Sequence, residues 1–292
     1  MSSVATTAGT NAVRAVPGRY RWLRKNYTLV LGGLILVIVV LAALAAPWIA
    51  PSDPQAINPI ARMKVPSAEH FFGTDALGRD TFSRAVWGAR VSLMTGASVA
   101  ILASVFGVLL GFIAGFVRVA DGPIMRVMDG LMAIPGILLA IALMALTKAS
   151  LGTVIVAITI PEVPRMVRLV RALALSLRER LYVEAAHALG TPLPKILLRH
   201  VLPNIVAPLL VQATFVAASA VLTEAALSFL GIGVPPQVPS WGNMISEGRT
   251  LIAIAFYPIM FPGLLLAFTV LAINLVGDGL RDALDPRTAR QL

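Results

Sequence analysis

The 292-residue sequence has no cysteine, which excludes disulfides, thiolate metal sites and cysteine nucleophiles and leaves the redox compartment open. Histidine is nearly as scarce: His70, His187 and His200 lie in separate segments, and no H-E-x-x-H occurs. An intramembrane hydrolase therefore lacks both a zinc motif and a nucleophile–base arrangement. A nucleotide-binding loop is missing too. "GTDALGRD", Gly73 to Asp80, has two glycines five apart, but Arg79 and Asp80 stand where a P-loop needs Lys and Ser/Thr, and the Asp would set a carboxylate against phosphates. Charge is the broadest shortage, at 13% of residues against about 25% in soluble domains.

What is abundant is apolar surface. Hydrophobic residues make up 58% of the chain and the mean hydropathy is +0.84, so the chain belongs in a bilayer. Its length fits one multi-span domain with tails and loops. Six segments, 28–50, 91–117, 127–147, 152–172, 205–230 and 256–277, approach the roughly 20 apolar residues that a crossing helix needs. The expected fold is an all-α polytopic membrane protein with six transmembrane helices. The fourth segment is the weakest, because "PEVPRMVRLVR" gives its second half two prolines and three arginines; it reads as a span whose cytoplasmic end is kinked and leaves the membrane. The first is longer than the roughly 7 to 15 apolar residues of a signal peptide and follows a basic tail, so it reads as a retained anchor.

Placing the N-terminus in the cytoplasm puts most of the 24 basic residues inside, close to span ends. They include Arg14, Arg19, Arg21, Arg24 and Lys25, the Arg165 to Arg199 region, and Arg281, Arg287 and Arg290. The net charge of +10 is thus an orientation signal, and nucleic acid is not an expected partner. The resulting division is a cytoplasmic tail (1–27), a first span (28–50), an external loop with an interfacial helix (51–90), a five-helix domain (91–282) holding a cytoplasmic loop at 178–203, and a cytoplasmic tail (283–292).

Two features stand out within the spans. Ala103, Gly107, Gly111 and Gly115 recur every four residues, leaving one helix face without bulk and suited to close helix packing. Glu224, in "VLTEAALSFLGIG", places a carboxylate deep in a span, where it serves either function or packing through a hydrogen bond or a retained proton.

The loop at 178–203 is too long to be a plain connection. Leu181, Glu184, Ala185, Ala188 and Leu189 fall at helical spacings and Gly190 follows as a stop. Thr191 is the expected cap of a second helix with Pro192 at its first position. The result is a helical elbow that presents small residues outward to a partner's groove. Glu184 has Arg180 one turn earlier as a local ion-pair partner.

Here the residues resemble a known family. "EAAHALG", nine residues and then "HVLP" match the E-A-A-x-x-x-G-x9-I-x-L-P signature of ABC importer permeases, with His200 in place of the Ile. "HFFGTDALGRDTFSRAVWGARVSL", "RVMDGLMAIPGILLAIAL", "EAALSFLGIGVPPQVPSWGNMISEGR" and "NLVGDGLRDALDPR" resemble the C-type, second permease subunit of dipeptide, oligopeptide and nickel importers. The likeness covers all but about the first 27 residues. It implies the type I ABC importer fold in the bacterial cytoplasmic membrane and a pathway shared with a second homologous permease. It also implies two ATPase subunits that carry ATP and magnesium, none of which this chain would hold, and an extracytoplasmic substrate-binding protein. By the same resemblance Tyr182, Glu184, Ala185, Ala186, Ala188, Leu189, Gly190 and Thr191 form the ATPase-coupling helix.

On the outer side, Pro51, Pro54, Pro59 and Pro66 make a stiff connection. Asp80 or Thr81 can then cap an interfacial helix with Phe82, Val86, Ala89 and Leu93 on one face. Arg79, Arg84 and Arg90 lie off that face, with Asp75 and Asp80 as candidate partners. Gly73 and Gly78 read as turn residues. Glu224, Ser228, Trp241 and Asn243 are the candidate pathway or gate residues, with a bilayer-interface anchor as the plainer reading of Trp241. The alternatives to a peptide permease are a nickel or other small-solute permease and, more distantly, a secondary transporter or channel, for which Glu224 is the one midplane ionisable group.

Overall fold

A computed structural model describes residues 26–284. The order is α1 (Tyr27–Leu44), α2 (Ala46–Ile49), α3 (Thr81–Phe116), α4 (Arg118–Met132), α5 (Gly136–Ala145), α6 (Leu151–Arg178), α7 (Leu181–Ala188), α8 (Leu193–Ile196), α9 (Leu202–Phe229), α10 (Trp241–Gly248) and α11 (Tyr257–Leu284). A π turn, Leu197–Val201, joins α8 to α9, and among the described residues there is no strand. The arginine-rich part of the N-terminal tail and the last basic residues, Arg287 and Arg290, lie outside the described residues.

Among the described residues, four helical runs are long and apolar enough to cross a membrane: α1, α3, Leu193–Phe229 and α11. The expected third span is not one helix. Pro135 breaks it, and α4 and α5 meet at 87°, so they make a fifth crossing only if taken together. Proline removes a helical donor and holds the residue before it out of the helical region. α5 then restarts on the Pro135 carbonyl, which accepts from Leu138 and Leu139 N–H at 2.9 and 3.1 Å. The expected fourth span, α6, has 28 residues but carries Glu162, Arg165, Arg168 and Arg171, and does not count as a crossing by composition.

α6 is instead a helix sustained by its neighbours. A capping box starts it: Thr153 N–H donates to Ser150 Oγ at 3.2 Å, and Ser150 N–H to Thr153 Oγ1 at 3.0 Å. It continues through Pro161 and Pro164 to Arg178. Val154, Ile158, Met166, Val167, Val170 and Ala174 are buried against α3, α5 and α9. Its charges are held locally: Glu162 accepts from Arg165 and from Ser219 of α9, each at 3.1 Å. Arg168 donates to Asp129 at 2.6 Å, and Arg171 grips Asp121 through two bonds, both acids lying on α4.

The α3–α6 contact follows from the small-residue stripe. Ala103, Gly107, Gly111 and Gly115 are all buried, and a Cβ on Gly111 or Gly115 would stand 2.7 Å from the Cβ of Val170 or Ala174. One on Gly107 would collide with Met166. The other side of the molecule is built from α1, α11 and α9, with α1 closing on α3.

The interfacial helix expected before the second span is not separate, because the helix runs unbroken from Thr81 through all 36 residues of α3. At about 1.5 Å per residue it is about 54 Å long. Asp80 caps it, accepting from Ser83 N–H at 2.7 Å.

Candidate functional site

Two regions carry the candidate residues. The first is the elbow between α6 and α9. α7 ends at Ala188; Gly190 takes φ +76, and Thr191 N–H reaches back to the Ala186 carbonyl at 3.1 Å, closing the helix end through a left-handed residue. The second helix starts one residue later than expected. Pro192, with ψ 142, occupies the cap position and its carbonyl accepts from Lys195 and Ile196 N–H. Thr191 makes no capping bond, because Pro194 already removes one of the donors that such a cap would serve.

The elbow has two distinct faces. Val183 and Ala186 turn inward and pack with Ile196, Val201, Phe112, Val170 and Ala174. Ala186 is thus a packing residue and not part of the outward surface. Tyr182, Glu184, Ala185, Ala188 and Gly190 are exposed, and Leu181 and Leu189 are 84% and 85% exposed. The expected Glu184–Arg180 pair is not formed; among the described residues Glu184 has no ion-pair partner. Beside it a cavity of about 410 Å³ opens between the elbow and the end of α3, lined by Phe116, Arg178, Glu184, His187 and Thr191.

The second region is at the opposite ends of α3 and α9. Glu224 is fully buried, accepting from Ser228 Oγ at 2.8 Å and from Ser92 Oγ of α3 at 3.4 Å. Ser228 Oγ also accepts from Val234 N–H at 3.3 Å, while the Val234 carbonyl accepts from Asn243 Nδ2 at the same distance. Asn243 Nδ2 further donates to the carbonyls of Pro235 and Val238. One amide thus folds the whole "GVPPQV" loop onto α10. Trp241 is fully buried, not at a bilayer interface. Its indole N–H donates to the Ala85 carbonyl at 2.9 Å, beside Gly88 of α3, and Gly242 brings α10 against Ala225 of α9. Glu224, Ser228, Trp241 and Asn243 are therefore one connected structure, and none presents open surface in the single chain.

The "GTDALGRD" segment belongs to the same end. Gly73 and Gly78 have φ of +71 and +76, and Thr74 bridges to Asp80, forming a tight loop. Asp75 accepts from the N–H groups of Leu77 and Arg79 and from the guanidinium groups of Arg79 and Arg84. Both arginines also reach Glu247 of α10, at 2.6 and 2.7 Å. Asp80 does not join them. It pairs with His70 at 3.0 Å, and Arg90 donates instead to the Ala43 carbonyl. Glu247 and Ser92 were not visible as partners in the sequence, since each lies more than 130 residues from the group it meets. Ser228, four residues after Glu224, carried the one local signal. Among the described residues no three His, Asp or Glu side chains converge as a metal site.

Comparison with known proteins adds to this geometry. Residues 107–290 match the family described as the binding-protein-dependent transport system inner membrane component, and residues 19–66 match the N-terminal TM domain of oligopeptide transport permease C. The chain is 54% identical to a probable peptide ABC transporter permease of Sinorhizobium fredii, over 93% of each chain. It is 44% identical to a dipeptide transport system permease of Alkalihalophilus pseudofirmus, over 92% of this chain and 88% of that one. With an oligopeptide transport system permease of Bacillus subtilis it shares 41% identity, covering 90% and 87%. Among solved structures, an inward-facing MetNI methionine ABC transporter aligns with a TM-score of 0.57 at 20% identity, covering 70% of this chain and 97% of that one. That last likeness is one of fold.

Proposed function

Because the chain belongs to the family of binding-protein-dependent transport inner membrane components, and is a multi-pass transport subunit rather than an enzyme, we propose that it forms half of the translocation pathway of an ATP-driven peptide importer. The other half is a second, homologous permease. Two ATPase subunits bearing ATP and magnesium sit beneath them, and an extracytoplasmic binding protein delivers di- or oligopeptides. The names of the relatives support peptides over nickel as cargo.

In this reading both termini are cytoplasmic and the chain crosses six times. α4 and α5 together make one broken crossing, and α6 crosses because its neighbours bury it. Residues 178–203 are the coupling loop, within a transmembrane domain spanning 91–282 that follows the first span at 28–50 and the external loop at 51–90.

The observation that carries the proposal is the two-faced elbow. Val183, Ala186 and Ile196 fasten it to the ends of α3, α6 and α9, while Leu181, Glu184, Ala185 and Leu189 are exposed and face away from the packed side of the elbow. A rigid lever with an unfilled apolar and acidic face suits a groove on an ATPase, whose closure would move the bundle ends to which the inner face is fixed. Glu224, Ser228, Trp241 and Asn243 then act as the framework of the outer gate, holding α10 and its loop to α3 and α9, rather than as surface met by cargo.

Reconstitution with the second permease, the ATPases and the binding protein tests the coupling role through ATP-driven peptide uptake. Glu184→Lys and Gly190→Val should lower uptake by something on the order of 5- to 150-fold, the usual span of a coupling free energy, while the complex still assembles. Unchanged uptake in an assembled complex would remove the elbow from the mechanism. Peptides and nickel chelates offered to the cognate binding protein decide the cargo.

A further inference from the structure

Arg165 stands at the centre of the 28-residue α6, about 20 Å from either end at about 1.5 Å per residue. Where α6 crosses, this is the middle of a hydrocarbon layer about 30 Å thick. The Arg165 side chain is nonetheless 52% exposed in the single chain. Among the described residues the acid it meets is Glu162 of its own helix, at 3.1 Å, and Glu162 is also engaged by Ser219 of α9. Arg168 and Arg171 each hold an aspartate of α4, whereas no other helix supplies Arg165 with an acid among the described residues. An exposed arginine at this depth is costly against lipid and belongs against protein or water.

Its surroundings at the same level are equally unsuited to lipid. Arg165, Arg168, Ala172 and Ser176 share one face of α6 and are all exposed, so the open positions from the centre toward the elbow carry no large apolar side chain. The break between α4 and α5 lies beside this face. A Cβ on Gly136 would stand 3.4 Å from Pro161, one turn before Arg165, and residues 133–135 are exposed there. Non-helical backbone at membrane depth is tolerated in contact with protein or water, not with lipid. α3 differs: Gly107 packs on Met166, and the exposed neighbour at that level is Phe106.

We propose that this side of α6 is one wall of a water-filled cargo path, and that Arg165 is the cation that receives the terminal carboxylate of a passing peptide. That carboxylate is the anion common to unmodified peptides of any side-chain content, and a guanidinium fork matches it with two parallel hydrogen bonds. Glu162, tied to Ser219, positions the guanidinium while leaving most of the fork open. The assignment rests on the importer reading and adds to it the residue that meets cargo inside the membrane.

The chain has no cysteine, so Arg165→Cys and Phe106→Cys each introduce a single thiol into it. In vesicles holding the full complex, a sulfonated, membrane-impermeant thiol reagent applied from either side should modify the Arg165→Cys chain in the nucleotide-free or the vanadate-trapped state, and the Phe106→Cys chain in neither. No modification at 165 in either state, or equal modification of both variants, overturns the water-filled path, whether or not the complex transports. Trialanine, whose one carboxylate is terminal, tests the role. Arg165→Gln should cut its uptake roughly ten- to a hundredfold, the worth of a hydrogen bond to a charged group, while ATP hydrolysis stimulated by the loaded binding protein persists, and Arg165→Lys should restore part of the uptake. Unchanged uptake overturns that role. So does loss of the stimulated hydrolysis or of the second permease from the Arg165→Gln complex, since Arg165 would then hold the assembly together. Wild-type vesicles that take up no peptide would count against the importer reading instead, and the thiol result would still decide the path.

Discussion

The Arg171 guanidinium on α6 holds the Asp121 carboxylate on α4 through two bonds, Nε to Oδ1 at 2.5 Å and Nη2 to Oδ2 at 2.6 Å. Three residues earlier, Arg168 holds Asp129 at 2.6 Å. These pairs fix one arm of the 87° bend to the central helix, across a surface where α4 buries little except Met128. Both partners of the Arg171 pair are about 30% exposed, so solvent screening limits its worth to about 1 kcal/mol. A double-mutant cycle on Asp121→Asn and Arg171→Gln, read by thermal unfolding in detergent, should show that coupling. Arg171→Lys, which keeps the charge but not the fork, should lose most of it. Additive single effects would mean that α4 is held by apolar contacts alone.

The α3–α6 contact makes a sharper test. Gly111→Val would drive two methyl groups into Val170 and Val167, where even a Cβ has only 2.7 Å. Two packed helices cannot absorb this without separating, and overpacking costs about 1 to 3 kcal/mol or more. Gly122 and Gly130 on α4 have nothing within 4 Å of a built Cβ. Gly122→Ala and Gly130→Ala should therefore leave size-exclusion profiles intact while Gly111→Val shifts the protein toward aggregate. Equal behaviour of all three would contradict the close approach.

How far these features could be read from the sequence depended on the distance between the partners. The Gly111 stripe and the Gly190 stop are local patterns, and their geometry follows from a few adjacent residues. Pro135 was equally visible, yet averaging hydropathy over 127–147 hid it, because hydropathy counts composition and not direction. α6 shows the converse: its arginines argue against a crossing by composition, but Asp121, Asp129 and Glu162 lie beside them in space. The interface-anchor reading of Trp241 fails for the same reason. The residue is buried in a cluster with Ala85 and Ala89, where Gly88 leaves room for the ring, all far away in sequence on α3, which the amphipathic character of tryptophan does not reveal.

Gly190 separates backbone strain from steric bulk. A Cβ there would meet nothing, so any defect of a substitution must come from φ +76. Gly190→Asn, whose side chain tolerates the left-handed region, should keep most coupled uptake, while Gly190→Ala and Gly190→Val should fail in increasing order, with about 1 to 2 kcal/mol of strain. If Asn were as damaging as Val, a surface clash with a partner would be the better explanation.

Glu224 separates a structural from a chemical role. Glu224→Gln keeps an oxygen acceptor for one of Ser228 and Ser92 and offers its amide N–H to the other hydroxyl, whereas Glu224→Ala leaves both hydroxyls buried beside a cavity. If the carboxyl only holds α9 to α3, Gln should be near wild type in stability and uptake, and Ala should lose about 1 to 3 kcal/mol. A stable Glu224→Gln protein without uptake would show that the acid itself takes part in transport.

The most consequential contact at the outer end is the cluster of Asp75, Arg79, Arg84 and Glu247. Arg84 is the pivot: its side chain is 2% exposed, and its Nη1 bonds both Asp75 and Glu247. Because the two acids come from the 73–80 loop and from α10, removing Arg84 would leave two carboxylates across three elements sharing the single Arg79 guanidinium. Arg84→Gln should cost about 3 to 5 kcal/mol, the range for breaking a buried pair from one side. Glu247 is 31% exposed, so Glu247→Gln should cost clearly less, since solvent already screens the acid and both arginines keep Asp75. Combining Arg84→Gln with Asp75→Asn should recover part of the loss, because the remaining cation, Arg79, then faces one carboxylate instead of two. Thermal unfolding of the three variants beside the wild type gives the order directly. An Arg84→Gln protein as stable as wild type would mean that the loop, α3 and α10 are joined without this cluster.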